Sequence, residues 1–202
     1  MRFVQNSNLP EGPVRLCAVG ERYGMLIAAL EARGIACLRV PEYPGLPAPV
    51  ACHADLQLCH LGGARIAVAA GRGREGLLEA LRKRGFSVEA AGPLTPDYPG
   101  DVPLNCAVVG KVCIGGKDKI DKIITNYCGE VGITLVPVNQ GYAKCSVCAV
   151  DERSIITQDP SIAQAAKRHG LNVLKIQAGR ILLPGYDTGF IGAVSYTHLR
   201  AH

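Results

Sequence analysis

The chain of 202 residues contains no tryptophan and only three phenylalanines, and aromatic residues make up 5% of it. Proteins that bind single-stranded nucleic acid stack bases on aromatic side chains, so this sequence supplies a stacking surface poorly. No apolar run approaches the roughly 18 residues needed to cross a bilayer. The first residues include no apolar signal segment. We therefore expect no nucleic-acid partner, no membrane association and no secretion.

Charge of one sign is not concentrated either. Lys and Arg number 22 against 17 Asp and Glu, a formal net charge of +5, and the basic residues are scattered apart from small groups within 72–84 and 117–122. A nucleic-acid-binding surface shows a denser basic stripe, so we interpret this charge as ordinary solvated surface. Apolar residues make up 48% of the chain, which allows a sizeable core and excludes wholesale disorder.

The nine cysteines are an odd number and follow no signal segment. This favours buried thiols in a reducing cytoplasm over a disulfide framework. Cys145 and Cys148 have the C-x-x-C spacing of zinc ribbons and thioredoxin motifs. A zinc ribbon needs a second such pair, which the sequence lacks, and residues three apart on a strand face opposite sides. We expect no metal, since further ligands would have to be brought in by the fold from among Cys52, His53, Cys59 and His60.

A repeated unit organises the chain. Four times, a helical pattern ends at a glycine and alternating apolar residues typical of a strand follow. Each glycine suits the left-handed position that ends a helix. Before three of these helices, two short apolar segments flank a tight turn, so the unit is strand–turn–strand–helix–strand. The four glycines are Gly34, Gly85, Gly132 and Gly170.

The repeat predicts an α/β fold, a single domain built as a five-fold pseudosymmetric α/β propeller of ββαβ units. The units span about 14–41, 53–92, 103–139 and 143–178, and a fifth, 180–193, is expected to be truncated. A doubly wound parallel sheet is the competing fold. That fold would place single strands rather than hairpins between the helices.

The segment 194–202 reads VSYTHLRAH. It resembles the translation of a sequencing adapter, so we expect this tail not to belong to the natural protein. The natural chain would then be cut near Ala193, within its fifth unit.

Four segments carry a resemblance to a known fold: HADLQLCHLGG (53–63), PLNCAVVGK (103–111), VNQGYAKCSVCAVDERSIIT (138–157) and LPGYDTGFIG (183–192). With the repeated unit, they resemble an uncharacterised bacterial family of the guanidino-group-modifying fold, also called pentein. The wider fold contains arginine deiminase, agmatine deiminase, dimethylarginine hydrolase and amidinotransferases. It also resembles a ribosome anti-association factor without catalysis, so the fold alone does not give function.

His53 and Asp55 form an H-x-D motif, which in the deiminases supplies a general acid/base and a carboxylate that holds the guanidinium. A carboxylate matches a planar cation, and histidine titrates near working pH. We predict that the motif opens a strand, where residues two apart share a face. The alternative is a structural His–Asp pair or a strand cap.

The resemblance also implies a cysteine nucleophile that attacks the guanidinium carbon. Cys145 lies at the start of the fourth unit, and we expect the adjacent Lys144 to lower the pKa of its thiol. The alternative is a packed structural thiol, because the nucleophile of this fold usually lies in the fifth unit.

Further polar residues fall at corresponding points of several units, where they would surround one channel mouth and bind substrate. Turn chemistry explains them equally well. They are Asn105 at the start of the third unit, Asn139, Gln140, Tyr142 and Lys144 before the fourth, and Tyr186 and Asp187 in the fifth.

These observations lead us to expect a hydrolase or transferase that acts on a guanidino or amidine small molecule by Cys–His–Asp chemistry, without a cofactor. The alternative is a non-catalytic binding protein on the same propeller.

Overall fold

The structure is a computed structural model that describes residues 2–181, 183, 189–192 and 197–201. Five helices separate groups of one to three strands along the described residues. In chain order they are β1 (Arg2–Phe3), β2 (Leu16–Gly20), α1 (Gly24–Glu31), β3 (Ala36–Val40), α2 (Ala54–Gln57), β4 (Leu58–Gly62), β5 (Arg65–Ala70), α3 (Glu75–Lys83), β6 (Ser87–Pro93), β7 (Ala107–Val109), β8 (Val112–Gly116), α4 (Lys122–Val131), β9 (Thr134–Val138), β10 (Val147–Asp151), β11 (Ser154–Thr157), α5 (Pro160–Arg168), β12 (Asn172–Lys175) and β13 (Thr197–Ala201).

Three of the sheets repeat one topology. Their strand orders are β4-β5-β6, β7-β8-β9 and β10-β11-β12. In each sheet the first two strands form an antiparallel hairpin, and the third runs parallel to the second after a helix. The predicted ββαβ unit is therefore confirmed three times. Closure of the units into a five-fold ring stays a prediction.

The first sheet has the order β1-β13-β2-β3. Its strands β2 and β3 are parallel and flank α1, while β13 pairs antiparallel with β2, in the place that a hairpin strand occupies in the other units. This strand lies within 194–202, and the expectation that this tail is not natural stays a prediction. Among the described residues of the expected fifth unit, 180–193, none lies in a strand.

Local chemistry sets the helix boundaries. Asp159 precedes α5 and accepts a hydrogen bond from the Ile162 N–H at 2.9 Å, with Pro160 at the first helical position. The glycines predicted to end helices all have positive φ angles, which only glycine adopts without strain. They are Gly34, Gly85, Gly132 and Gly170.

Apolar side chains bury the faces of each unit against its neighbours. One cluster of buried residues runs from the second unit into the third, through Leu56, Leu61 and Leu104. Another joins the third unit to the fourth, through Ile114 and Ile155. No helix in the described part of the chain is both long enough and apolar enough to span a membrane.

A matched pair of glycines in α4 tests this description of the helix ends. Gly132 follows the helix at a φ of 69°, so Gly132→Ala should lower the free energy of unfolding by about 1–2 kcal/mol. Gly129→Ala, inside α4 where an added Cβ meets nothing within 4 Å, should raise it by about 0.5–1 kcal/mol. Urea denaturation followed by circular dichroism measures both. A neutral or stabilising Gly132→Ala would contradict the left-handed helix end.

Candidate functional site

The site is built from residues that immediately precede the first strand of three successive units. Asp55 lies three residues before β4, Asn105 two before β7 and Cys145 two before β10. Hydrogen bonds join all three, so the fold brings together positions that are far apart in the sequence. His53, two residues before Asp55, lies close to Asp55 and Cys145.

Asn105 is the residue that connects the other two. Its side chain is fully buried, and its Nδ2 donates to the Asp55 carbonyl oxygen at 3.0 Å and to the Cys145 Sγ at 3.2 Å. Its Oδ1 accepts a hydrogen bond from the Cys145 N–H at 3.1 Å. One buried amide therefore fixes both the backbone of Asp55 and the thiol of Cys145. The sequence indicated a substrate-binding role for Asn105 and did not predict this one.

The Cys145 thiol is held as a neutral group. Cys145 is 1% exposed, and its Sγ donates to the Asp55 Oδ2 at 3.1 Å. Burial first, and then the negative charge and hydrogen bond of Asp55, raise the pKa of this thiol well above its ordinary value. The Asn105 hydrogen bond and the charge of Lys144 lower that pKa by less. Lys144 therefore acts in the expected direction, but burial and Asp55 outweigh it, and the net pKa of the thiol is raised.

His53 completes the group. It precedes α2 in an extended conformation, with φ −68° and ψ 115°. A ring nitrogen of His53, a carboxylate oxygen of Asp55 and the Cys145 Sγ all lie within 4.8 Å of one another. His53 and Asp55 are half-buried, so the group combines a buried sulfur with two donors nearer the solvent.

The spacing of the H-x-D motif predicts that it opens a strand, but in the structure it does not. The Leu56 N–H donates to the His53 carbonyl at 3.2 Å, which closes a turn over residues that a strand would keep extended. Both motif residues therefore lie in and just before α2, and β4 begins only at Leu58.

Turns also precede the first strands of the next two units. The Asn105 N–H donates to the Val102 carbonyl at 2.9 Å, and the Val147 N–H donates to the Lys144 carbonyl at 3.3 Å. Each unit thus enters its first strand through a turn, and these turns carry the site residues.

The remaining residues predicted to bind substrate lie either in the loop before β10 or outside the residues that the structure describes. Gln140 accepts from the Tyr142 N–H at 3.0 Å, and the Tyr142 hydroxyl donates to Asp101. Lys144 is buried and Asn139 is exposed. Tyr186 and Asp187 lie outside the described residues. A substrate-binding ring made of these side chains stays a prediction.

Among the residues that the structure describes, one group of His, Cys and acidic side chains is placed to hold a metal ion. It consists of His53, Asp55 and Cys145. Cys148, whose C-x-x-C spacing suggested zinc, is not part of it. The sequence pointed to the three residues for acid/base and nucleophilic chemistry. It placed Cys145 and His53, but not Asp55, among possible metal ligands, and it led us to expect no metal.

Residues 18–198 match the profile of a family described as "Family of unknown function (DUF6873)". No curated protein sequence matches the chain significantly.

Solved structures show the fold. A dimethylarginine dimethylaminohydrolase (DDAH) mutant from Pseudomonas aeruginosa, complexed with citrulline, is similar with a TM-score of 0.53 at 10% identity, over 81% of this chain and 76% of that one. A mutant dimethylarginine dimethylaminohydrolase in an adduct with S-methyl-L-thiocitrulline gives a TM-score of 0.51 at 10% identity, over 81% of this chain and 77% of that one. An inosamine-phosphate amidinotransferase from Streptomyces griseus gives 0.49 at 11% identity, over 98% and 97%. The first two confirm the resemblance to the guanidino-group-modifying fold.

Two asparagines test the structural role assigned to Asn105. Asn105→Ala should lower the free energy of unfolding by about 2–3 kcal/mol, because it leaves the Asp55 carbonyl and the Cys145 N–H without their buried partner. Asn139→Ala, at an exposed position, should change it by no more than about 0.5 kcal/mol. Urea denaturation compares the two. Equal effects would mean that the Asn105 amide does not hold the site together.

Asp55→Asn should make Cys145 react faster with iodoacetamide at mildly alkaline pH. Removing the Asp55 charge lowers the pKa of the Cys145 thiol, and each unit of that fall gives about tenfold more thiolate below the pKa. Fragment-ion mass spectrometry separates alkylation at Cys145 from alkylation at Cys148, which serves as an internal reference in the same chain. A rate at Cys145 that stays constant or falls, with Cys148 unchanged, would show that Asp55 does not set the charge of the thiol.

Proposed function

Because the chain belongs to the DUF6873 family and has the fold of the guanidino-group-modifying enzymes, we propose that it is a hydrolase or transferase for a small guanidino or amidine compound. The observation that carries the proposal is the convergence of a thiol, a carboxylate and an imidazole within 4.8 Å. These are the three groups that covalent chemistry at a guanidinium carbon needs: a nucleophile, an anion for the cation and a proton carrier.

Asp55 is the group that binds the cationic part of the substrate. A guanidinium matches a carboxylate in charge and planar geometry. Binding would neutralise the charge that now raises the pKa of the Cys145 thiol, and the positive charge of the substrate would lower that pKa further. The substrate would therefore activate its own nucleophile, and the free enzyme would keep an unreactive thiol.

The first half of the reaction forms a covalent intermediate. The thiol gives its proton to His53, and the sulfur forms a bond to the guanidinium carbon. The bond from that carbon to the departing amine then breaks, and His53 returns the proton to the amine. The amidino carbon is left on Cys145 as an S-linked adduct.

The second half releases the adduct. His53 takes a proton from a water molecule as the water oxygen bonds to the same carbon, and the C–S bond breaks to leave the Cys145 thiolate, which takes up that proton. The second proton of the water leaves to solvent as the C=O bond forms. The product is a ureido compound from a guanidine and an amide from an amidine. An amine in place of water would give transfer of the amidino group, so the acceptor decides between hydrolase and transferase.

The second candidate function is binding of a guanidinium without catalysis. It is favoured by the 1% exposure of Cys145 and by the raised pKa of its thiol. A non-catalytic protein would hold a guanidinium on Asp55 while the thiol stays protonated and serves as a hydrogen-bond donor.

Turnover of a panel of guanidines and amidines separates the two candidates. The enzyme proposal expects Cys145→Ser and His53→Ala each to reduce turnover at least about 100-fold, while Cys148→Ser leaves it unchanged. Acid quenching of the wild type during turnover should trap an adduct on Cys145 that Cys145→Ser lacks and that forms more slowly in His53→Ala, because the first half also uses His53 as its proton carrier. Mass spectrometry of the intact chain detects the adduct.

Calorimetry of the same panel provides the opposing outcome. Binding of a guanidine that Asp55→Asn weakens, without turnover or adduct, would establish the binding protein and overturn the enzyme. No binding of any guanidine or amidine would overturn both candidates.

A further inference from the structure

The side chains of His53, Asp55 and Cys145 together form a metal donor set. We propose that they bind one zinc ion, in a site with three protein ligands. The proposal goes beyond the reaction proposed above and does not depend on it, because it rests on the placement of the donor atoms alone.

The separations of the donor atoms are close to those of a zinc site. Zinc bonds of about 2.0–2.3 Å in tetrahedral geometry place ligand atoms about 3.3–3.6 Å apart. The Cys145 Sγ and the Asp55 Oδ2 are already 3.1 Å apart, and each remaining pair lies within 4.8 Å. Closure therefore needs side-chain shifts on the order of 1 Å. His53 and Asp55 are half-buried on a single turn, so small rotations can supply these shifts.

The donor set also selects the metal. A thiolate and an imidazole together are poor ligands for magnesium or calcium, which take oxygen. Sulfur, nitrogen and one carboxylate oxygen in tetrahedral geometry suit zinc. Three protein ligands leave the fourth coordination position to water or to a small ligand, as in catalytic zinc sites.

Asn105 lies outside the donor set and positions the Cys145 ligand by hydrogen bonds. Its Nδ2 donates to the Sγ at 3.2 Å, and its Oδ1 holds the Cys145 N–H at 3.1 Å. Hydrogen bonds of this kind orient metal ligands and strengthen binding. The sulfur that faces Asp55 is therefore fixed before a metal arrives.

Binding exchanges a proton for the metal. The Cys145 thiol releases its proton to solvent, and a zinc–sulfur bond forms with no change of oxidation state. Zinc and a guanidinium would use the same carboxylate and the same sulfur. The two occupants therefore exclude each other.

The experiment uses the whole chain, freed of metal with a chelator and then titrated with zinc against a chromophoric chelator. We expect one tight zinc per chain. Cys145→Ser, His53→Asn and Asp55→Asn should each weaken it at least about 100-fold, the upper end of what outer-shell partners cost. Cys148→Ser, which removes a cysteine three residues away and outside the donor set, should leave the affinity unchanged.

Substitution of cobalt for zinc identifies which cysteine provides the sulfur ligand. The cobalt–thiolate charge-transfer band should be present in the wild type and in Cys148→Ser and absent from Cys145→Ser. Absence of tight binding in the wild type, loss of binding in Cys148→Ser, or binding that survives all three ligand substitutions would overturn the site. Should Cys145→Ser fail to fold by circular dichroism, His53→Asn and Asp55→Asn still decide, because both side chains are half-buried. Turnover is not measured, so this result and the fate of the proposed reaction remain distinguishable.

Discussion

The buried amide of Asn105 is the interaction on which the site depends. Within the described residues the strands form separate sheets that share no hydrogen-bonded strands, so no sheet ladder sets the position of one unit relative to the next. Apolar packing holds the units together but is non-directional. Asn105 adds direction: it bonds to Asp55 in the second unit and to Cys145 in the fourth from its own place in the third. The loss of one such bond inside a core leaves a buried polar group without a partner, which the packing cannot compensate.

The position of these residues ahead of the strands follows from the same constraint. A residue inside a β-strand gives its N–H and C=O to the ladder, and its side chain direction is fixed by the pleat. Residues in the turns before β4, β7 and β10 are free of the ladder and can point toward each other. The repeated unit therefore has equivalent turns at corresponding points. A reactive side chain in such a turn does not interrupt the hydrogen bonds of the sheets.

Much of the fold follows from local sequence signals. The hairpins and the glycines at helix ends depend on neighbouring residues, and Asp159 with Pro160 marks the start of α5 on its own. The turns before the strands were not predictable, because the apolar spacing of Leu56 and Leu58 fits an extended strand and a single turn equally well. Burial and hydrogen bonding of the backbone decide between the two, and both are tertiary properties.

The site shows the same division between local and tertiary information. The residue types and their approximate equivalence were visible in the sequence, since H-x-D, Asn105 and Cys145 all fall near the starts of repeated units. The sign of the pKa change at Cys145 was not, because Lys144 and Asp55 act on the thiol in opposite directions and burial adds to the effect of Asp55. A neighbour in the sequence is a poor guide to the field at a buried sulfur. The residue that dominates among the charges is 90 positions away, and only the fold places it at 3.1 Å.

The two occupants proposed for the cluster are both cations, and Asp55 supplies the negative charge that either would need. Asp55 contributes a negative charge beside a thiol that burial keeps neutral, and a bound cation would supply the matching positive charge. A guanidinium would supply it without using the sulfur as a ligand, which leaves the sulfur able to attack carbon. Zinc would supply more charge in a smaller volume and take the sulfur into its coordination shell, which removes its reactivity toward carbon. The two occupants differ in the reactivity they leave to Cys145, and both depend on the carboxyl group of Asp55 and on the Asn105 amide that holds the sulfur toward it.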